Sequence, residues 1–123
     1  MKQKIMVIDD DPVILETVHL NLARRGYDTA SFTNGDEALN SITKFHPNLI
    51  ILDIMMPEMD GWEVLKIIKD HYPEEELKVL LLTAKDTDKD KMIGTSILKA
   101  DGYITKPFDL QDLLQKVKML LGE

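Results

Sequence analysis

Short apolar, β-branched runs alternate with amphipathic stretches of helical period along this chain. That rhythm constrains the fold more than any other feature. The runs are Ile5-Met6-Val7-Ile8, Thr29-Ala30-Ser31-Phe32, Leu49-Ile50-Ile51-Leu52, Val79-Leu80-Leu81-Leu82 and Tyr103-Ile104-Thr105. Three of the five are apolar throughout, as strands covered on both faces must be. The second is more polar and reads as an edge strand.

The intervening stretches carry apolar stripes at helical spacing. The first places Ile14, Val18 and Leu22 on one face, opens with Asp11-Pro12 and closes with Arg24-Arg25-Gly26. An acid at the N-cap, proline at the first helical position, cations in the last turn and a glycine beyond it each favour helix at that place. The second stripe is Ala38, Leu39, Ile42 and Phe45, and the third is Leu65, Ile68 and Tyr72. The fourth is the weakest: Met92, Ile93 and Ile97, with Gly94 inside it at a cost of ~1 kcal/mol relative to alanine. The last is the clearest, with Leu110, Leu113, Leu114, Val117, Leu120 and Leu121. Five strand–helix units imply a doubly wound α/β fold, a five-stranded parallel sheet with right-handed crossovers and helices on both faces.

The chain has 123 residues, the size of one domain, and contains no cysteine. Disulfides, thiolate metal sites and thiol nucleophiles are thereby excluded. Acids outnumber bases 22 to 15, a net charge of −7 with no long basic run. That argues against a nucleic-acid partner and against anionic lipid. No apolar stretch approaches a membrane span and no secretory signal is evident, so a cytoplasmic location is expected.

In an open α/β sheet, chemistry gathers beyond the carboxyl ends of the strands. Asp9-Asp10-Asp11 follow the first run, Asp53 the third, Thr83 the fourth, and Lys106-Pro107 the fifth. Two carboxylates ~4 Å apart repel by ~4 kcal/mol at an effective dielectric of 20. Several in one cleft therefore call for a cation or for raised pKa values. Asp11 is better explained as the helix N-cap; Asp9 and Asp10 lie where a functional role is expected. With only oxygen donors available, a hard divalent ion is implied, and Mg²⁺ suits few carboxylates plus water. Relieving the repulsion by Asp10→Asn is expected to raise the melting temperature of the metal-free protein. A dinucleotide site is disfavoured, because acids fill the turn where a glycine-rich phosphate loop would sit.

Four segments, in order and at these strand ends, resemble the receiver domains of bacterial two-component response regulators. They are Val7-Ile8-Asp9-Asp10-Asp11-Pro12, Leu52-Asp53-Ile54-Met55-Met56-Pro57 with Met59-Asp60-Gly61, Leu82-Thr83-Ala84, and Gly102-Tyr103-Ile104-Thr105-Lys106-Pro107-Phe108. The resemblance covers essentially the whole chain, residues 1–123, as a single receiver domain. It implies a flavodoxin-like (βα)5 sheet of strand order 2-1-3-4-5.

The resemblance also implies roles. Asp53 accepts a phosphoryl group from the phosphohistidine of a sensor histidine kinase or phosphotransfer protein. Asp10 and Asp53 bind Mg²⁺ directly (Mn²⁺ substituting), Asp9 acts mainly through water, and the main-chain carbonyl of Met55 completes the protein ligands. Thr83 hydrogen-bonds the incoming phosphoryl oxygen. Lys106 pairs with that group and with Asp53, and its peptide with Pro107 is cis. Tyr103 is either an aromatic switch following Thr83 or ordinary core. The fourth helix, last strand and last helix form the face read by a downstream protein partner or effector domain. Gly102 and Lys116 depart from the charged pairing pattern of the DNA-binding subgroup.

Two rivals share parts of this pattern. A Mg²⁺-dependent phosphatase with an aspartyl nucleophile would carry Asp-x-Asp after the first strand and a cap over its substrate. A flavodoxin-like FMN carrier would need a hydroxyl-rich phosphate loop there. His19, His46 and His71 share no partners and read as structural or exposed, and Trp62 is expected to anchor the third helix and report on a nearby metal site.

Overall fold

In the computed structural model, residues 2–56, 59–73, 76–84 and 100–123 are described, residue 59 in its main chain alone. The strands of the main sheet are β1 (Lys4–Ile8), β2 (Asp28–Phe32), β3 (Leu49–Asp53), β4 (Lys78–Ala84) and β5 (Gly102–Lys106). They run parallel in the order β2-β1-β3-β4-β5. The described helices are α1 (Pro12–Arg24), α2 (Gly35–Phe45), α3 (Gly61–His71) and α4 (Leu110–Leu120). The expected helix around Met92, Ile93, Gly94 and Ile97 lies outside the described residues, as does Pro57.

The central strands are apolar throughout because both their faces are covered. On one face Ile5, Val7, Leu49, Ile51, Leu80, Leu82 and Ile104 pack with Val18 and Leu22 of α1 and Leu113, Leu114 and Val117 of α4. On the other, Met6, Ile8, Ile50, Leu52, Val79 and Leu81 pack with Ala38 and Ile42 of α2 and Val64, Leu65 and Ile68 of α3. Every residue from Leu49 to Leu52 is fully buried, and each such side chain contributes roughly 1.5–3 kcal/mol. β2 has a neighbour on one side only and none of its residues is fully buried, which accounts for its polar sequence.

The caps of α1 follow the sequence signals. Asp11 is the N-cap, accepting from Val13 N–H at 2.9 Å, with Pro12 in the first turn. Gly26 takes φ +92°, and the amides of Gly26 and Tyr27 donate to the carbonyls of Ala23 and Leu22. This is a Schellman ending, which a side chain at residue 26 would strain. The buried stripe of α1 differs slightly from expectation. Leu15 is buried with Val18 and Leu22, while Ile14 is half-buried at the margin. Tyr72, expected on the stripe of α3, is its C-cap residue and leans on the core from beyond the helix.

One feature was not anticipated. Met55–Met56 and Met59–Asp60 form a two-residue antiparallel ribbon between β3 and α3. It folds the chain after Asp53 back on itself before α3 begins.

Candidate functional site

Strand alternation decides which side chains meet at the carboxyl edge of the sheet. Asp9 continues the row of Ile5 and Val7, Asp53 that of Leu49 and Ile51, and Lys106 that of Ile104. All three rows face α1 and α4. Between β3 and β5, the strand β4 carries Ala84 level with Lys106, and so small a residue leaves the lysine arm room to cross.

The lysine arm crosses far enough to reach both acids. Its Nζ lies 2.8 Å from Asp9 Oδ2 and 3.2 Å from Asp53 Oδ2. Both carboxylates are essentially inaccessible to solvent, at 0 % and 1 %. Each also closes the same kind of local turn, accepting from the amide two residues on. Asp9 Oδ1 accepts from Asp11 N–H at 2.9 Å, and Asp53 Oδ1 from Met55 N–H at 3.0 Å. Asp10 is exposed, yet one of its oxygens lies with one from Asp9 and one from Asp53 in a group no more than 4.8 Å across. The three acids that the sequence placed at two strand ends are brought together.

The electrostatics follow from burial. Desolvation pushes the Asp9 carboxyl up to about 6 from 3.8, with the negative charge of Asp53 adding to it. The hydrogen bonds from Lys106 and the Asp11 amide, and the lysine's charge, oppose that rise without cancelling it. For Lys106, burial works against the ammonium, but the hydrogen bond to Asp9 and the charges of Asp53 and Asp9 outweigh it and hold the pKa above its usual value. Lys106 therefore stays protonated. Fully ionised, three carboxylates against one ammonium leave two negative charges uncompensated.

Thr83, Met55 and Pro107 lie at or just beyond the same strand ends, whereas Tyr103 lies earlier on β5, level with Leu81. Thr83 is buried near the end of β4, one residue past the partner of Asp53, and its hydroxyl has no hydrogen-bond partner among the described residues. A buried hydroxyl in that condition costs ~1–3 kcal/mol. The side chain of Met55 is exposed, and its main chain is held by the ribbon opposite Asp60. The Lys106–Pro107 peptide is cis, as expected. Tyr103 on β5 is 40 % exposed, which removes the ordinary-core reading. Trp62 is half-buried against the α3 core, as an anchor of that helix should be.

Two arrangements escaped the sequence reading. Lys106 pairs with Asp53 as expected, but its shorter contact, to Asp9, has no counterpart in the sequence pattern. Gly61, the first residue of α3, sits directly on the main chain of Ile54, beside Asp53. The Asp-Gly pair was visible in sequence, but nothing there showed what the glycine touches. His19 accepts or donates at Thr29 Oγ1, and His71 meets its own helix, so neither approaches the acids.

The donor set fits a hard divalent cation. All the candidate ligands are oxygens, and the three carboxylates outnumber the one ammonium that pairs with them.

Comparison with known proteins agrees with this geometry. The response regulator receiver domain family matches residues 5–118. A response regulator receiver domain protein from Methanospirillum hungatei is similar, with 30 % identity and a TM-score of 0.90, over 99 % of this chain and 95 % of that one. A response regulator from Chloroflexus aurantiacus is 31 % identical with a TM-score of 0.88, covering all of both chains. The BeF3-activated DrrB receiver domain is 36 % identical with a TM-score of 0.86, again over the whole of both chains. With the acid cluster and lysine at the strand ends where its sequence places them, the chain belongs to the response regulator receiver domains of two-component systems, signalling modules rather than conventional enzymes.

Proposed function

We propose that residues 1–123 form one receiver domain in which Asp53 is the phosphoacceptor. The contact of Lys106 with both Asp9 and Asp53 carries this reading, because it draws a cation and an all-oxygen donor set around a single carboxylate. A carboxylate oxygen of Asp53 attacks phosphorus, the P–N bond of a phosphohistidine breaks, and the departing imidazole takes up a proton. The product is an acyl phosphate on Asp53. Such a transfer is governed by positioning and by neutralising charge on the phosphoryl oxygens.

Asp9, Asp10, Asp53 and the Met55 carbonyl would hold Mg²⁺ or Mn²⁺, which supplies charge neutralisation when bound. Asp10, being exposed, offers its carboxylate directly, while Asp9 is committed to Lys106 and the Asp11 amide and acts through water. Lys106 turns from the carboxylates to the new phosphoryl oxygens, and the Thr83 hydroxyl, which has no hydrogen-bond partner among the described residues, donates to one of them. Phosphorylation adds about one negative charge at the rim, and Tyr103 on β5 responds to the move of Thr83. That surface and α4 are read by a downstream protein partner or effector domain. The donor is a sensor histidine kinase or a phosphotransfer protein, and the setting is the cytoplasm; among the described residues no helix is long and apolar enough to cross a membrane.

Incubation with acetyl phosphate and Mg²⁺, followed by intact-mass measurement, tests the acceptor. One phosphoryl group is expected on the wild type and none on Asp53→Asn. Equal labelling of that variant would refute the assignment. Because a receiver domain 36 % identical to this chain is activated by BeF3, beryllofluoride offers a second readout, with binding expected for the wild type and lost in Asp53→Asn.

A further inference from the structure

We infer that Gly61 is a positioning residue for phosphoryl acceptance: its missing side chain lets the first turn of α3 seat the Ile54–Met55 peptide, and that peptide aims the Asp53 carboxylate. This rests on Asp53 being the acceptor and names what holds it in place.

The geometry is a chain of contacts. Gly61 is buried, and a Cβ added to it would lie 2.5 Å from the Cα of Ile54, 2.7 Å from its carbonyl oxygen and 2.9 Å from its carbonyl carbon. These are backbone atoms and cannot swing aside as a side-chain tip would. Ile54 is in turn fixed on its other side, its amide donating to Leu82 O at 3.1 Å and its side chain buried. The next amide, of Met55, donates to Asp53 Oδ1 at 3.0 Å. Carbon contacts are comfortable near 3.5–4.0 Å, so a methyl group at residue 61 must displace this peptide by about 1 Å.

Two functional atoms ride on that peptide and its neighbour. One is the Met55 N–H that orients the acceptor carboxylate. The other is the Met55 carbonyl, the proposed metal ligand. Asp60 completes the device: its side chain caps α3 by accepting from Trp62 N–H at 2.9 Å, while its main chain pairs with Met55 across the ribbon. The helix start, the ribbon and the acceptor turn therefore move as one body. By contrast a Cβ at Gly102 would meet Leu80 and Leu120 side chains at 3.5 and 3.6 Å, which is ordinary contact.

Gly61→Ala and the control Gly102→Ala are compared with wild type by Mg²⁺ calorimetry, thermal melting and the Mg²⁺ dependence of labelling by acetyl phosphate. Gly61→Ala is expected to weaken Mg²⁺ binding about tenfold and to slow labelling at saturating Mg²⁺ by up to about 100-fold, the scale of a 1 Å misplacement. Gly102→Ala is expected to match wild type. A merely structural role would lower the melting temperature while the folded protein kept its Mg²⁺ midpoint and labelling rate, and that result overturns the inference. If Gly61→Ala does not fold, Asp60 decides. Asp60→Ala removes the cap and should weaken Mg²⁺ binding, whereas Asp60→Asn keeps the cap and should preserve it; equal affinities in the two overturn the inference. A wild type that takes no phosphoryl group overturns the acceptor assignment itself, whereas a labelled wild type with an indistinguishable Gly61→Ala overturns only the role of the glycine.

Discussion

Asp9→Asn in metal-free protein tests the electrostatics of the site most directly. Asp9 is fully buried and its carboxyl is pushed up to about 6 from 3.8, principally by desolvation. The folded state therefore holds that proton more tightly than the unfolded chain does. The stability linked to it is complete below pH 3.8 and is lost as pH rises through about 6. At 1.36 kcal/mol per unit, the loss reaches about 3 kcal/mol at pH 8. Asparagine keeps an oxygen for the Asp11 amide and carries no charge, and Lys106 retains Asp53 at 3.2 Å. The variant should thus exceed wild type by about 3 kcal/mol at pH 8 and by only about 1 kcal/mol at pH 4.5. For a domain of this size the former is roughly 10 °C in melting temperature. Urea and thermal unfolding in a chelator, at both pH values, measure it. A variant less stable than wild type at pH 8, or a gain independent of pH, would show that the Lys106 pair outweighs the burial of Asp9 and would refute the reasoning. Asp10 is exposed, so the relief expected from Asp10→Asn is smaller than that from Asp9→Asn.

Mg²⁺ at ten times its dissociation constant should stabilise wild type by ~1.4 kcal/mol, and Asp9→Asn, Asp10→Asn and Asp53→Asn should each shrink that increment; melting curves with and without Mg²⁺ measure it, and equal increments in all three would count against the cluster as the metal site. Asp101→Ala should destabilise by about 3 kcal/mol in denaturant unfolding, because it strands the Lys69 ammonium, 2.6 Å away, and leaves the Val79 amide without its carboxylate partner; Lys69→Met in the same background should recover part of the loss. Tyr27 should titrate near 12 by phenolate absorbance, since burial and the hydrogen bond to Glu123 both raise it. Stability linked to its proton is present below pH 10 and lost as pH rises through about 12, so Tyr27→Phe should abolish that titration and lose most of its stability difference from wild type in strong alkali.

Much of the architecture was legible because local chemistry and periodicity agree with it. Leu49-Ile50-Ile51-Leu52 has no polar position to turn outward, so it had to lie between two helical layers. Asp11-Pro12 and Gly26 mark the two ends of α1 because an orphan amide and a left-handed turn are local problems with local solutions. Tyr103 was ambiguous for the opposite reason: whether an aromatic on the last strand is covered depends on what packs over it, and its exposure emerges only in three dimensions.

The site shows the same division. Sequence alone determined that acids, a hydroxyl and an ammonium end four parallel strands, since the carboxyl ends of such strands share one rim. It also implied that several carboxylates gathered there call for a cation or for raised pKa values. Tertiary structure decided how these groups are arranged: that Lys106 lies closer to Asp9 than to Asp53, that Asp10 faces solvent while Asp9 does not, and that a glycine on α3 sits against the main chain just after Asp53. Those outcomes depend on strand register and on the approach of segments distant along the chain. No local pattern records such distances, because they are fixed only when both faces of the sheet have been packed.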